Sequence, residues 1–194
     1  MIAQPKLFLV GGPNGAGKST FAKKFLAENP DFVFLNADEI ARQLNPGDVR
    51  SARIDAGRSF LNKLATLRAE QANLVVESTL SGVSLTQQIR LFVEVGYYIS
   101  LTYVFLPSAD LSVSRVAGRV LQGGHHVPTA DIHRRFNRSK KNFWTLYRHL
   151  ADEWQLVSNG EGGFVYVAKL VQHNLTVTNP FIFQRFIQEQ DPAF

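Results

Sequence analysis

The sequence predicts an α/β protein, a three-layer α/β/α domain spanning residues 1–194 around a mainly parallel central sheet. Three observations predict it. Short apolar runs alternate with longer stretches of helical period, as strands and crossover helices do in a parallel sheet. The first apolar run leads through a glycine-rich segment directly into a helical period. The chain has 194 residues, 45% of them hydrophobic, with no internal repeat, linker or low-complexity tract, which suits a single generous domain.

The elements follow in order. Lys6–Val10 reads as the first strand. Ser19–Glu28 reads as a helix, with Phe21 and Phe25 one turn apart and Asn29-Pro30 as the stop. Phe32–Leu35 is a second short strand. Residues 53–71 form a helix with Ile54, Leu61, Leu64 and Leu67 on one stripe. Leu74–Glu77 is the third strand, and Leu85, Ile89 and Phe92 mark a helix ending near Gly96. Tyr98–Leu106 is the most hydrophobic run and is placed centrally in the sheet. Leu111, Val116 and Val120 mark a helix broken at Gly123-Gly124, and Ile132, Phe136, Phe143, Tyr147 and Leu150 a long one. Residues 154–179 read as short strands around Glu161-Gly162-Gly163, packed on the domain, and a short helix follows Pro180. That last helix, with Phe181, Ile182, Phe183, Phe186 and Ile187, is either core packing or a contact for another protein.

Composition narrows the function. Twenty-one basic and 16 acidic residues give a net charge of +5 and a pI near 9.6, which favours anionic partners. Without cysteine there is no disulfide framework and no thiolate chemistry. No apolar run is long enough to span a bilayer, and the first residues lack the pattern of a signal peptide. A soluble, cytoplasmic protein is expected.

The strongest signal is Gly12-Pro13-Asn14-Gly15-Ala16-Gly17-Lys18-Ser19-Thr20. It fits the phosphate-binding pattern G-x-x-x-x-G-K-S, with a strand before it and a helix after it. Its glycines let successive N–H groups turn inward around phosphate oxygens, and the helix start adds unpaired N–H groups. Lys18 can reach the β- and γ-phosphates of a nucleotide, and Ser19 or Thr20 can ligate Mg²⁺. Residues 12–20 are therefore the expected ATP site, and Mg²⁺ the expected metal. There is no N-K-x-D guanine reader, and the run 103–106 ends in Pro107-Ser108 without the acid common in ATPases.

Three segments supply candidates for the acceptor side. Asn36-Ala37-Asp38-Glu39 follows the second strand, where the carboxyl ends of strands line the ligand crevice. Asp38 is a candidate general base for an attacking hydroxyl, although Asn36 and Asp38 also suit helix N-cap chemistry. Glu77 ends the third apolar run, where a charge needs a partner: a substrate hydroxyl, a metal-bound water or an arginine. Arg115 and Arg119 share a helix face, Gly123-Gly124 interrupts, and Arg134-Arg135 resume on the next helix. Residues 115–140 thus read as a small helical lid whose arginines neutralise charge on a transferred phosphoryl group. His125-His126 make a poor metal site because no further ligands accompany them.

Taken together, G-P-N-G-A-G-K-S-T, N-A-D-E-I, E-S-T-L-S-G, R-V-x-x-R-V-x-x-G-G-H-x-V-P and I-x-R-R-F-x-R-S-x-x-N resemble zeta-toxin-like P-loop kinases over about residues 5–160. The resemblance implies a P-loop NTPase fold and an ATP-dependent kinase acting on UDP-N-acetylglucosamine. It implies that Lys18 holds the phosphates, Ser19 the magnesium, and that Asp38 is the base. Glu77 and Thr79 would contact the substrate sugar, and the lid arginines the transferred phosphoryl. It also implies a small helical antitoxin as a protein partner. This sequence is more compact than the founding toxins, and its G-G-H-x-V-P element departs from them, so its acceptor is expected among nucleotide sugars and related metabolites. An alternative reading is a nucleic-acid-binding ATPase or polynucleotide kinase, motivated by basic residues 115–149 with Phe136, Phe143, Trp144 and Tyr147 interleaved. The helical spacing of those aromatics suggests core, so nucleic acid is not the expected partner. A regulatory ATP-binding module without turnover is a third reading, which Asp38, Glu77 and the arginines oppose.

Overall fold

The computed structural model describes residues 4–49, 51–124 and 126–190. In chain order the elements are β1 (Lys6–Gly11), α1 (Lys18–Glu28), β2 (Val33–Asn36), α2 (Ala37–Leu44), α3 (Arg53–Ala69), β3 (Leu74–Ser78), α4 (Ser84–Glu94), β4 (Tyr98–Phe105), α5 (Ala109–Leu121), α6 (Thr129–Thr145), a 3₁₀ turn (Tyr147–Leu150), β5 (Glu153–Gly160), β6 (Gly163–Val171), β7 (Asn174–Val177) and α7 (Pro180–Gln188). One seven-stranded sheet runs in the order β2-β3-β1-β4-β5-β6-β7. Strands β1 to β5 pair in parallel, while β6 and β7 extend the sheet antiparallel. This is the P-loop NTPase-like α/β/α sandwich, with β4 at its centre.

The two helical layers follow from alternation along the strands. Leu7, Leu9, Leu74, Val76, Leu101 and Tyr103 point to one face, where α2, α3, α4, α7 and the second half of α6 cover them. Phe8, Val10, Val75, Val104 and Leu106 point to the other, against α1 and α5. Buried on both faces, the central strands read as continuous apolar runs rather than alternating ones.

Three details differ from expectation. Residues 37–44 form a helix, because Asn36 Oδ1 accepts the N–H groups of Asp38 and Glu39 at 2.7 and 3.2 Å and so starts α2 directly off β2. On α3, Leu64 and Ala56 are buried, whereas Ile54 and Leu61 are exposed, so the core-facing stripe is rotated from the expected one. The long helix expected to run on through Leu150 breaks at Leu146 and tightens into the 3₁₀ turn; Tyr147 stays buried across the break.

Of the C-terminal helix, Phe186 and Ile187 are buried against the sheet and Phe181 is exposed. Lys140 of α6 pairs with Glu189 just beyond α7, with Phe105, Phe136 and Phe186 around its ammonium. Burial pushes the Lys140 ammonium below its ordinary value, and Glu189 partly restores it. No described helix is long and apolar enough to cross a membrane.

Candidate active site

The sheet order makes the site. The chain leaves β1 toward β2 on one side and later returns to place β4 on the other, so a crevice opens at the carboxyl ends of β1 and β3. The parallel register sets Val10 opposite Glu77, and Asn36 opposite Glu77 in turn, so three strands end level with one another. A cavity of about 700 Å³ lies above them.

The glycine-rich loop forms its floor. Gly12, Gly15 and Gly17 take positive φ of 145°, 73° and 87°, a region that strains side-chain-bearing residues. A Cβ on Gly12 would lie 2.0 Å from Val104 O. The loop is braced from outside: Ser112 Oγ donates to Asn14 O at 2.5 Å and Asn159 Nδ2 to Ala16 O at 2.8 Å. Lys18 is buried and its Nζ donates to Pro13 O at 3.0 Å. Burial pushes the Lys18 ammonium below its ordinary value; Glu77 and then Asp38 raise it, while Arg119 and Arg135 lower it further.

The carboxylates come from the neighbouring strand ends. Glu77 Oε2 accepts from Ser19 Oγ at 2.8 Å, so the acid at the end of β3 has a hydroxyl of the glycine-rich loop as its partner. β4 ends without an acid, and the acidic strand end at this crevice is Glu77 of β3, on the other side of β1. Asn36, a candidate for the substrate side, lines the cavity, but its Oδ1 is occupied in capping α2. That cap leaves Asp38 in the first turn with its carboxylate outside the capping bonds, on the cavity wall. Thr79 lines the cavity too and shares a 2.9 Å hydrogen bond with Ser81 Oγ.

The loop carrying Thr79 and Ser81 is held by α6. Ser139 Oγ donates to Thr79 O at 2.5 Å, Asn142 Nδ2 to Leu80 O at 2.9 Å and Tyr147 Oη to Gly82 O at 2.6 Å. Between them Leu80 sits at φ 53° with its side chain buried.

Arg115, Arg119, Arg134 and Arg135 all line the cavity. Arg115 also donates to Gly160 O at 2.8 Å, tying α5 to the β5–β6 turn. Arg134 is paired with Asp131 at 2.8 Å. Arg135 is half-buried, and its guanidinium is pushed below its ordinary value by burial first and Arg53 second, against the pull of Asp131 and Asp38. The two basic helices already face the glycine-rich loop, and Val116, Val127 and Ile132 give them a small core of their own. His125 lies outside the described residues; His126 lines a side pocket, and among the described residues no group of three His, Cys, Asp or Glu side chains could hold a metal ion.

Arg53 and Arg138 also reach this cavity, and sequence reasoning missed both as site residues. In the sequence Arg53 reads as an ordinary helix start and Arg138 as part of a basic run; only the packing of α3 and α6 across the cleft singles them out. Of the aromatics interleaved with the basic segment, Phe136, Phe143 and Tyr147 are core, and Trp144 stacks under Arg148 at 3.7 Å.

The residues fit a nucleotide and its divalent cation. The glycine cradle has no room for added side-chain atoms at Gly12, Asn14 Oδ1 is buried without a partner, and a hydroxyl and a carboxylate stand 2.8 Å apart beside the loop. Ser19 and Glu77 would hold the metal, and residues 12–20 the phosphates.

Similarity to known proteins agrees with this geometry. A protein of Haemophilus influenzae, described as uncharacterized, is 32% identical over 126 residues, 65% of this chain and 89% of that protein. The crystal structure of the AvrRxo1-ORF1:-ORF2 complex superposes with a TM-score of 0.78 at 19% identity, covering 98% of this chain and 65% of that one; the same complex with ATP gives 0.77. This chain therefore spans about two thirds of that structural relative. The PezAT chromosomal toxin–antitoxin system of Streptococcus pneumoniae superposes with a TM-score of 0.67 at 18% identity, covering 99% of this chain and 80% of that one. At these identities the superpositions speak for the fold, while the sequence profile described as AAA domain matches residues 7–142. The chain belongs to the AAA domain family.

Proposed function

We propose that the protein is an ATP-dependent phosphotransferase that moves the γ-phosphoryl of ATP to a hydroxyl of a small metabolite, with nucleotide sugars such as UDP-N-acetylglucosamine first among the acceptors to test. The observation that carries this reading is that Lys18, Asp38, Glu77 and the arginines of α5 and α6 line one cavity above the glycine-rich loop. ATP binding alone calls for the loop; it does not call for a carboxylate and several guanidinium groups on the opposite walls.

In this reading residues 12–18 cradle the phosphates and Ser19 with Glu77 holds Mg²⁺, which supplies charge neutralisation on the phosphate oxygens when bound. Asp38 accepts the proton of the acceptor hydroxyl as its oxygen bonds to the γ-phosphorus. The bond from that phosphorus to the β–γ bridging oxygen breaks, and ADP leaves. Arg115, Arg119, Arg134 and Arg135 offset the charge on the transferred group, while Thr79 and Ser81 offer hydroxyls to the acceptor. A small antitoxin-like partner is a further expectation, supported by a fold shared with the PezAT system and the AvrRxo1-ORF1:-ORF2 complex.

The test is to incubate the protein with Mg-ATP and a panel of nucleotide sugars, nucleosides and amino sugars, and to search by mass spectrometry for a product heavier by one phosphoryl group. A product that disappears in the Lys18→Ala protein supports the proposal. ATP binding with no acceptor modified across the panel would favour the regulatory module.

A further inference from the structure

A second, smaller cavity of about 150 Å³ adjoins the main cleft, bounded by Val49, His126, Val127, Pro128 and Asp131. Among the described residues only three line both cavities: Asp38, Arg53 and Arg135. The partition between them is therefore one carboxylate, the candidate base, flanked by two guanidinium groups from different elements. Arg53 is the exposed first residue of α3, and Arg135 comes from the first half of α6. Among the described residues neither has a carboxylate within 4.0 Å. Arg134, by contrast, has Asp131.

The Asp38 carboxylate offsets one of these two positive charges, which leaves the partition with a surplus of one and favours a further anion beside it. Of the residues assigned to the nucleotide's phosphates, the glycine-rich loop, Lys18, Arg115, Arg119 and Arg134 do not touch the side pocket and Arg135 does; Arg53 has no part in holding them. The half-buried Arg135 feels Arg53 as its largest electrostatic burden after desolvation, in keeping with two guanidinium groups close together.

We propose that Arg53 and Arg135 form a phosphate subsite for the acceptor, so that the acceptor is itself a phosphorylated metabolite, gripped by its own phosphate beside Asp38. This proposal rests on the kinase reading and adds to it the residues that grip the acceptor's phosphate. The two forks can each offer paired N–H donors to one tetrahedral phosphate, a geometry that a neutral sugar does not reward. The side pocket, with Val49, Val127 and Pro128 in its wall, takes the part of the acceptor beyond that phosphate.

The test uses the full chain loaded with Mg²⁺ and AMP-PCP, a nonhydrolysable ATP analogue that fills the γ-position, and titrates inorganic phosphate by ³¹P line broadening. Wild type is expected to bind phosphate saturably. Arg53→Gln should weaken that binding by about tenfold or more, and Arg53→Lys by less, since charged hydrogen bonds of this kind carry at least a tenfold change in affinity. Arg58→Gln, on the same helix but lining neither of the two cavities, should leave it unchanged. AMP-PCP affinity should be unchanged in Arg53→Lys and Arg58→Gln and should fall by no more than about threefold in Arg53→Gln, well short of the change in phosphate binding. Normal AMP-PCP binding with no phosphate site, or with a site indifferent to Arg53, overturns the subsite and leaves the kinase reading standing. Failure of wild type to bind AMP-PCP strikes the kinase reading and this proposal with it.

Discussion

Asn36 and Asp38 stand two residues apart at the end of β2, and the local geometry separates their work. The Asn36 side chain is committed to the first amides of α2, which fixes the backbone that aims Asp38 into the cleft. If Asp38 is the base, Asp38→Asn keeps nearly the same shape and loses only the proton acceptor. Nucleotide affinity should then hold within about twofold while phosphoryl transfer falls by roughly 10²–10⁴. A rate equal to wild type in a coupled ADP-release assay would remove Asp38 from the mechanism. Gly12 carries a different kind of constraint, because an added methyl meets Val104 O at 2.0 Å and φ is 145°. Gly12→Ala should therefore cost about 3 kcal/mol or more in urea denaturation, as overpacking and backbone strain combine. Both residues were legible in the sequence, since a phosphate cradle and a strand-end acid are written in consecutive letters. Arg53 was not: its place in the cleft arises from the approach of α3 to α6, more than seventy positions away, and no local spacing records that.

At the scale of elements, α6 does two jobs along its length. Its first half presents Arg134, Arg135 and Arg138 to the cleft, while its second half and the 3₁₀ turn pin residues 79–82 through Ser139, Asn142 and Tyr147. The three donors hold Leu80 in a left-handed conformation that costs on the order of 1 kcal/mol or more on its own. The sequence showed a helical period through Phe143 and Tyr147; it holds as far as Thr145, and Tyr147 stays buried in the 3₁₀ turn beyond. It could not show that the polar residues between those aromatics are fastened to the loop, because their partners are backbone carbonyls with no sequence identity. Burial pushes the Tyr147 phenol up to about 12. Since its ordinary value is 10.0, the unfolded chain loses that proton first, the folded chain holds more protons between those values, and stability falls as pH rises through the interval. Tyr147→Phe removes that contribution. Its unfolding free energy should decline less steeply from pH 10 to 12 than that of wild type, by up to about one proton in the slope. Identical slopes would mean that Tyr147 is not shielded as its packing implies. At neutral pH the same substitution should cost about 1–2 kcal/mol for the lost bond to Gly82 O.

Over the whole molecule, charge is distributed to one purpose. Among the described residues Lys18, Arg53, Arg115, Arg119, Arg134, Arg135 and Arg138 line the cleft against Asp38 and Glu77. Setting these seven cations and two acids aside from the 21 and 16 of the chain leaves the remainder balanced, so the whole net charge of +5 resides in the cleft. A basic segment from Arg115 onward is visible in the sequence, but Lys18 and Arg53 lie far from it in the chain, and only the fold brings them to the same cavity. A concave surface of one sign focuses its field on the ligand, so position should matter more than total charge. Arg138→Glu and Lys169→Glu change the net charge equally, yet Arg138 lines the cleft whereas exposed Lys169 lies on β6 and does not. Mg-AMP-PCP affinity at 50 mM salt should drop by about tenfold or more in the first and by less than about twofold in the second, and the gap should narrow at 500 mM, where the screening length falls to about 4 Å. Equal losses in the two proteins would show that the ligand responds to overall charge, and would count against the cleft as the place where it binds.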